Sequence, residues 1–186
     1  MNKPLLLLVG PSGSGKTTIA NAMEEKYDYR QVQSYTTRKP RYENETGHIF
    51  VTQEEFNNLG ELVAYTRYNG NEYGTTTEQI DNCDIYVVDI PGIKMLLNLY
   101  KTERMIYIIY FDTSVYTRIS RMLERGDHDS KIISRLLEDE KYNWYEKIQE
   151  VVLDVNYNTY RYVRIYKVDA EQSQTDVINQ ILWYFA

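Results

Sequence analysis

The residues whose types and spacing most directly indicate chemistry form a glycine-rich segment near the start of the chain. Residues 10–17 read Gly-Pro-Ser-Gly-Ser-Gly-Lys-Thr and match the pattern G-x-x-x-x-G-K-[ST] at every fixed position. In such a loop the glycines let the backbone wrap around phosphate groups with its N–H groups pointing inward, and the following helix presents its positive end. The segment therefore predicts a site for the phosphates of a nucleotide, and ATPases, GTPases and kinases all use such a loop.

Two side chains of this loop have predicted roles of their own. Lys16 places a positive charge on the terminal phosphates, and the Thr17 hydroxyl ligates Mg²⁺. We expect ATP to be the phosphoryl donor and Mg²⁺ to be the cofactor. The predicted ATP-binding residues are Gly10, Pro11, Ser12, Gly13, Ser14, Gly15, Lys16, Thr17 and Thr18.

A second concentration of positive charge lies at residues 34–41, Ser-Tyr-Thr-Thr-Arg-Lys-Pro-Arg. Arg38 and Arg41 are close enough in sequence to bind one phosphate group together, and Pro40 stiffens the turn between them. A kinase needs a second anion site of this kind for the phosphate of its acceptor. A solvated basic loop is the alternative interpretation of these residues taken alone.

Arginines also share one face of a predicted helix at residues 115–125, spaced three and four positions apart: Arg118, Arg121 and Arg125. Arg135 lies near the start of the next predicted helix. In a chain with a net charge of −6, arginines gathered on one face indicate that the surface binds anions. The alternative is ordinary surface ion pairs with nearby acidic residues, namely Glu124, Glu138 and Asp139.

One acidic residue, Asp89, follows a predicted buried strand and begins the tetrapeptide Asp-Ile-Pro-Gly. This tetrapeptide fits the D-x-x-G pattern of small GTPases. Those proteins read guanine with an [NT]-K-x-D sequence on a later strand, where residues 112–114 here read Asp-Thr-Ser. We therefore reject the GTPase interpretation and expect Asp89 to orient a water of Mg²⁺ or the substrate.

The elements that must position these residues alternate between strand and helix. Continuous apolar runs predict strands at Leu5–Val9, Ile85–Val88, Met105–Phe111 and Tyr162–Val168. Helices are predicted at Lys16–Lys26, Ile93–Tyr100, Val115–Arg125, Ile132–Ile148 and Val177–Phe185. This alternation predicts an α/β fold of the P-loop NTPase type, with a parallel sheet flanked by helices.

The 186 residues are enough for one domain, which we expect to contain two excursions from its core. Residues 33–81 lack long apolar runs, and they predict an excursion from the sheet, a small lobe that holds a substrate. Within them a capping box predicts a short helix that begins after Thr52. Residues 126–149 predict a second excursion, which contains a charged helix after the Gly126-Asp127 break. The core then consists of residues 1–32, 82–125 and 150–186.

Composition and charge exclude several other classes of protein. The net charge of −6 argues against binding to nucleic acid or to an anionic membrane. Cys83 is the single cysteine, so an intramolecular disulfide is excluded, and His48 and His128 are too far apart in sequence to suggest a structural metal site. The apolar run at Leu5–Val9 is too short for a signal peptide or a membrane span. We expect a cytoplasmic location.

Together these motifs resemble those of guanylate kinases, over residues 5–137. The resemblance depends on residues 34–41 with Glu45 and Gly47, on Tyr73-Gly74-Thr75, on Arg121-x-x-x-Arg125-Gly126 and on Arg135. It implies that the protein transfers a phosphoryl group from ATP to a nucleoside monophosphate, converting GMP to GDP. It also implies that residues 33–81 form a lobe that binds the nucleoside monophosphate, that residues 126–149 form a helical lid, and that lobe and lid close over the substrates.

The resemblance further implies roles for individual residues. The phosphate of the acceptor would be held by Arg38, Arg41 and Tyr73, with a further contact from His48, where the family usually has tyrosine. The base would face Ser34 and Thr75, and Asp89 matches the first acid of the family's strand-end motif. The lid arginines that neutralise the transferring phosphoryl group would be Arg121, Arg125 and Arg135, which with Lys16 and Arg38 form the predicted catalytic set.

Two positions depart from the family pattern at the guanine site. The glutamate that usually accepts hydrogen bonds from guanine is replaced by Ala64, and the second strand-end acid is replaced by Pro91. Two alternatives therefore stay open beside a GMP kinase. One is a kinase of the same fold for another phosphorylated acceptor, either a different nucleotide or a sugar phosphate. The other is a binding module that keeps the fold without turnover.

Overall fold

The computed structural model describes residues 3–40, 43–68, 70–159 and 163–185. No helix within these ranges is long and apolar enough to span a membrane. The elements in chain order are β1 (Leu5–Val9), α1 (Lys16–Tyr27), β2 (Ser34–Thr36), β3 (His48–Phe50), α2 (Gln53–Asn57), β4 (Leu62–Tyr68), β5 (Asn71–Thr76), α3 (Thr77–Asp81), β6 (Ile85–Val87), α4 (Ile90–Leu99), β7 (Ile106–Asp112), α5 (Val115–Glu124), α6 (Asp129–Asp139), α7 (Trp144–Thr159), β8 (Val163–Asp169) and α8 (Gln174–Trp183).

A parallel sheet of four strands, in the order β6-β1-β7-β8, forms the centre of the fold. All five residues of β1 are fully buried, as expected for a strand covered on both faces. Successive side chains of a strand point to opposite faces. Leu7 accordingly packs with α4 and α7 on one face, and Leu6 packs with α1 and α8 on the other. The predicted α/β fold with helices on both faces of a parallel sheet is confirmed.

A second sheet, in the order β3-β2-β5-β4, lies within the segment that the sequence assigns to the acceptor lobe. β2 and β3 have three residues each and β5 is mostly polar, so apolar runs could not reveal these three strands. β4 has seven residues and begins with the short apolar run Leu-Val-Ala. The helix predicted after Thr52 is confirmed, because the Thr52 hydroxyl accepts from the Glu55 N–H and the Glu55 carboxylate accepts from the Thr52 N–H at 2.7 Å. This reciprocal pair fixes the start of α2.

The single helix predicted at Ile132–Ile148 is wrong, because two helices, α6 and α7, occupy this region. The residues between them, 140–143, contain no glycine or proline to mark the break. Turn-type hydrogen bonds end α6, as the Lys141 N–H donates to the Glu138 carbonyl and the Tyr142 N–H to the Asp139 carbonyl. The break leaves Asp139 at the last position of α6.

At the amino end of the parallel sheet, the guanidinium group of Arg104 joins the beginnings of three strands. It donates to the carbonyl oxygens of Lys3 at 3.1 Å and Cys83 at 2.8 Å, and to the Asp84 carboxylate at 3.2 Å. Lys3 precedes β1, Asp84 precedes β6 and Arg104 precedes β7. One half-buried cation therefore satisfies several backbone acceptors where these strands start.

Candidate active site

The predicted phosphate loop connects β1 to α1 at the carboxyl end of the sheet. Gly13 has φ +79° and Gly15 has φ +94°, in the left-handed region that favours glycine. At Gly13 an added Cβ would lie 2.7 Å from the carbonyl oxygen of Arg118, so a side chain has no room there. The loop therefore packs directly against the backbone of α5, and its curvature requires these glycines.

The ammonium group of Lys16 folds back into this loop. Its Nζ donates to the carbonyl oxygens of Gly10 and Pro11, both at 2.8 Å, and to the Ser14 hydroxyl at 3.1 Å. Desolvation by burial lowers the pKa of Lys16 from 10.5 to about 8, although the negative charge of Asp139 opposes the shift. The lysine therefore lies within the loop with its charge partly destabilised.

Arginines of α5 reach the loop from the side. Arg121 donates to the Ser14 carbonyl at 3.2 Å and to the Ala170 carbonyl at 2.7 Å. Arg118 donates through Nε to the Ser12 carbonyl at 2.8 Å. These contacts place the guanidinium groups of two predicted anion-binding arginines beside the loop.

The other two arginines that the sequence predicts to bind anions, Arg125 and Arg135, share one carboxylate. Arg125 bonds to Asp127, and Arg135 bonds to the same carboxylate at 3.1 Å. Burial distinguishes them, since the Arg135 side chain is 10% exposed and the Arg125 side chain is 49% exposed. Both nevertheless line the cleft described below.

A carboxylate that the sequence did not single out also contacts the loop. The Ser12 N–H donates to Asp139 Oδ2 at 2.9 Å, and Arg118 donates to the same oxygen. The sequence offered Asp139 only as a partner for surface ion pairs, but it is 8% exposed. Helical spacing could not reveal this contact, because it joins residues 127 positions apart.

A single cleft of about 840 Å³ runs from the phosphate loop to the second sheet. The predicted site residues that line it are Gly10, Ser12, Gly13, Ser14, Gly15, Lys16, Thr17, Thr18, Ser34, His48, Tyr73, Asp89, Arg121, Arg125 and Arg135. Three other predicted residues, Pro11, Arg38 and Thr75, are not part of this lining. Arg41 lies outside the described residues.

Hydrogen bonds explain where two of these three residues are held. The Thr75 hydroxyl is fully buried and donates to the Tyr86 hydroxyl at 2.8 Å, so it is engaged below the cleft surface. The Arg38 guanidinium donates to both carboxylate oxygens of Glu45, at 2.8 and 3.1 Å, and lies over the Phe50 ring. Its forked group is therefore fixed within the lobe by a carboxylate.

The acceptor side of the cleft presents one histidine, one serine and one acid. The Ser34 hydroxyl and His48 Nδ1 lie 2.9 Å apart, and the His48 ring meets the Tyr73 ring edge-on. Asp89 caps α4 by accepting from the Gly92 N–H at 2.9 Å, and burial raises the pKa of its carboxyl group. Ala64 is buried and contributes no polar group to this end.

Comparison with known proteins places the chain among nucleotide kinases. The sequence profile of the guanylate kinase family matches residues 1–141. The guanylate kinase of Geobacter metallireducens is 31% identical over 162 residues, which cover 77% of this chain and 78% of that protein. The guanylate kinase of Lactobacillus johnsonii is 30% identical over 143 residues, covering 70% of this chain and 69% of that protein.

Solved structures extend the comparison to the fold. The crystal structure of guanylate kinase from Anaplasma phagocytophilum matches with a TM-score of 0.51 at 18% sequence identity. The match covers 99% of this chain and 88% of that one. The similarity in fold therefore continues past residue 141, where the family profile ends.

Proposed function

The chain belongs to the guanylate kinase family, and from that premise we propose that it transfers the terminal phosphoryl group of ATP to GMP, giving ADP and GDP. The observation that supports this most is the shared cleft. The phosphate loop lines one end of it, and Ser34, His48 and Tyr73 line the other. Two substrates bound at these ends would meet within one cavity, as phosphoryl transfer between them requires.

At the donor end, the loop amides and Lys16 would hold the phosphates of ATP. Lys16 is bonded to loop carbonyl oxygens, and its displacement toward a phosphate would exchange these dipoles for a full negative charge. Arg121, Arg125 and Arg135 would neutralise the charge that is spread over the transferring group. No covalent intermediate is required, because positioning and charge neutralisation suffice for this chemistry.

At the acceptor end, the monophosphate would bind near Tyr73 and His48, with Arg38 and Arg41 supplying positive charge. Arg38, which is paired with Glu45, would attract the acceptor phosphate in one of two ways. Its positive charge would act from its present position, or its side chain would turn toward the phosphate when the lobe closes. Ser34 would face the base, and Thr75 would contribute through its bond to Tyr86. Asp89 is a carboxylate that lines the cleft, and a Cβ added at Gly92 would lie within 4.0 Å of both Asp89 and Ala64.

The residues present fit a magnesium ion. Mg²⁺ prefers oxygen ligands and is commonly bound by one or two protein oxygens together with substrate phosphates and water. Thr17 and Asp89 both line the cleft with such oxygens. When bound, Mg²⁺ would supply charge neutralisation for the phosphates of ATP.

Closure of two mobile parts would complete the site. We assign residues 33–81 to an acceptor lobe and residues 126–149 to a lid, with residues 1–32, 82–125 and 150–186 as the core. Bringing the lobe and lid together would exclude water from the cleft. This would suppress hydrolysis of ATP and strengthen the interactions of the arginines with the phosphates.

A coupled assay with ATP, Mg²⁺ and a panel of nucleoside monophosphates and sugar phosphates tests the proposal. We expect GMP to be the preferred acceptor. If another acceptor is phosphorylated in preference to GMP, the protein is still a kinase but its acceptor is not GMP. The panel of acceptors is informative because Ala64 stands where the family has the glutamate that binds guanine. Absence of turnover with every acceptor would contradict the proposal. Lys16→Ala protein serves as the background control.

A further inference from the structure

The backbone of Ser12 is held by a pair of side chains, one bonded to its N–H and the other to its carbonyl oxygen. Its N–H donates to Asp139 Oδ2 at 2.9 Å, and its carbonyl oxygen accepts from Arg118 Nε at 2.8 Å. The same two side chains bond to each other. Arg118 belongs to α5 and Asp139 to α6, so this arrangement fastens the end of the lid helix to the phosphate loop.

The arrangement places an anion within an anion-binding loop. Arg118 is 6% exposed and Asp139 is 8% exposed, so neither charge is stabilised by bulk water. Asp139 interacts electrostatically with Lys16, which also experiences the charges of Arg118, Arg135 and Arg125. The Asp139 carboxylate therefore balances the positive charge of these side chains. When nucleotide is bound, its phosphates would supply that negative charge.

We propose that Asp139 is a built-in counter-anion that latches the lid helix α6 to the phosphate loop and that the phosphates of ATP displace. Displacement would free the Ser12 N–H and transfer the guanidinium of Arg118 from carboxylate to phosphate. Arg118 would then be a phosphate-binding residue beyond those predicted from the sequence. The inference rests on the proposed binding of ATP to this loop.

Helix geometry links the latch to the rest of the lid. Arg135 and Asp139 are four residues apart on α6 and therefore share one face of the helix, and both are buried. A movement of α6 that withdraws Asp139 from Ser12 must also move Arg135. Release of the latch would thus coincide with the repositioning of a lid arginine relative to the cleft.

The proposal predicts that ATP competes with Asp139, so removal of the carboxylate charge should tighten ATP binding. We suggest titrating ATP without acceptor by isothermal calorimetry into wild-type, Asp139→Asn and Asp139→Ala protein. The expected decrease in the dissociation constant is about tenfold, the size of one charged hydrogen bond. Glu140→Gln is the matched control, because this exposed neighbour loses the same charge without a contact to the loop.

The two variants and the control separate a latch from a general effect of charge. An equal gain in Glu140→Gln would assign the change to long-range electrostatics and overturn the latch. An unchanged or weaker affinity in both Asp139 variants, with circular dichroism showing that they are folded, would also overturn it. If wild-type protein itself does not bind ATP, the proposed function fails and the inference with it.

Amide hydrogen exchange gives a readout that does not depend on affinity. Without nucleotide, the peptide containing Ser12 should exchange faster in Asp139→Ala than in wild-type protein, because its N–H loses its acceptor. Glu140→Gln should exchange at the wild-type rate. Equal exchange in all three proteins would show that Asp139 does not hold the loop and would reject the proposal even if ATP affinity had changed.

Discussion

Each end of the parallel sheet has an arginine paired with a buried aspartate, but the pairs differ in what surrounds them. At the amino end, Arg104 bonds to Asp84 and to the carbonyl oxygens of residues that precede the strands. At the carboxyl end, Arg118 bonds to Asp139 and to one carbonyl oxygen of the phosphate loop. The amino-end pair joins residues that precede strands of one sheet, whereas the carboxyl-end pair joins the loop to a lid helix.

This difference indicates how similar ion pairs serve different purposes. Asp84 precedes β6 and is also bonded by the backbone N–H of Arg30, so its position is set by the sheet itself. Asp139 is at the end of α6 and can leave with that helix. A buried pair contributes to specificity of structure only while both charges stay matched. We therefore expect substitutions at the amino end to change stability and those at the carboxyl end to change catalysis.

The largest expected effect at the carboxyl end is that of Lys16→Ala. Loss of this charge should lower kcat/KM for ATP by about a thousandfold, because Lys16 would stabilise charge on the transferring phosphoryl group. Steady-state kinetics with ATP and GMP measure it. Lys26→Ala, on the exposed last turn of the same helix, should retain nearly full activity. A similar loss of kcat/KM in Lys16→Ala and Lys26→Ala would show that the lysine of the phosphate loop has no specific role in phosphoryl transfer.

The converse is expected at the amino end. Arg104→Met should lower the free energy of unfolding by about 3 kcal/mol, since it leaves Asp84 buried and deprives several carbonyl oxygens of their donor. Urea denaturation provides the measurement. Arg30→Met is the matched control, because Arg30 pairs with the same carboxylate but its side chain is 67% exposed. A lower kcat with an unchanged free energy of unfolding in Arg104→Met would contradict the expectation that the amino-end pair affects stability rather than catalysis.

A smaller and more selective effect is expected from the acceptor lobe. Arg38→Ala should raise the KM for GMP by roughly tenfold or more while leaving ATP affinity almost unchanged, because a charge-assisted contact to the acceptor phosphate is lost. Lys39→Ala, at an exposed neighbouring position, should change neither constant. Equal losses of affinity for both substrates in Arg38→Ala would indicate a structural role through Glu45 alone.

The smallest expected effect is the uptake of protons when MgATP binds. Burial lowers the pKa of Lys16 to about 8, so at that pH Lys16 is uncharged in half of the protein molecules. Bound phosphate favours the charged form, and MgATP binding at pH 8 should therefore take up about half a proton. Calorimetry in two buffers of different ionisation enthalpy measures the uptake. It should vanish near pH 6, where Lys16 is already charged; uptake that persists there would come from another group.

Sequence patterns predicted the elements that depend on local chemistry. The run of leucines in β1, the glycines of the phosphate loop and the capping box at Thr52 each specify backbone geometry through their own residues. The strands of the second sheet were missed because polar residues such as those of Ser34–Thr36 show no apolar run. The break before α7 was missed because residues 140–143 contain no glycine or proline.

The parts of the site that sequence could not predict depend on tertiary contacts. Asp139 has the same helical context as an ordinary surface acid, and only the packing of α6 against the loop brings it to Ser12. The bond between Thr75 and Tyr86 likewise joins different strands, so the sequence could not show that this hydroxyl is engaged. The roles of all the predicted site residues stay predictions, and two of these residues, Arg38 and Thr75, do not line the cleft.

The account depends most on the claim that the cleft passes a phosphoryl group from one anion site to another. Its most direct test is the quantification of nucleotides by ion-exchange chromatography after incubation of the protein with ATP, Mg²⁺ and GMP. We predict that ADP and GDP form in equal amounts and that Lys16→Ala protein forms both about a thousandfold more slowly. Formation of ADP without GDP or any other phosphorylated acceptor would contradict the account, because the phosphoryl group would then pass to water.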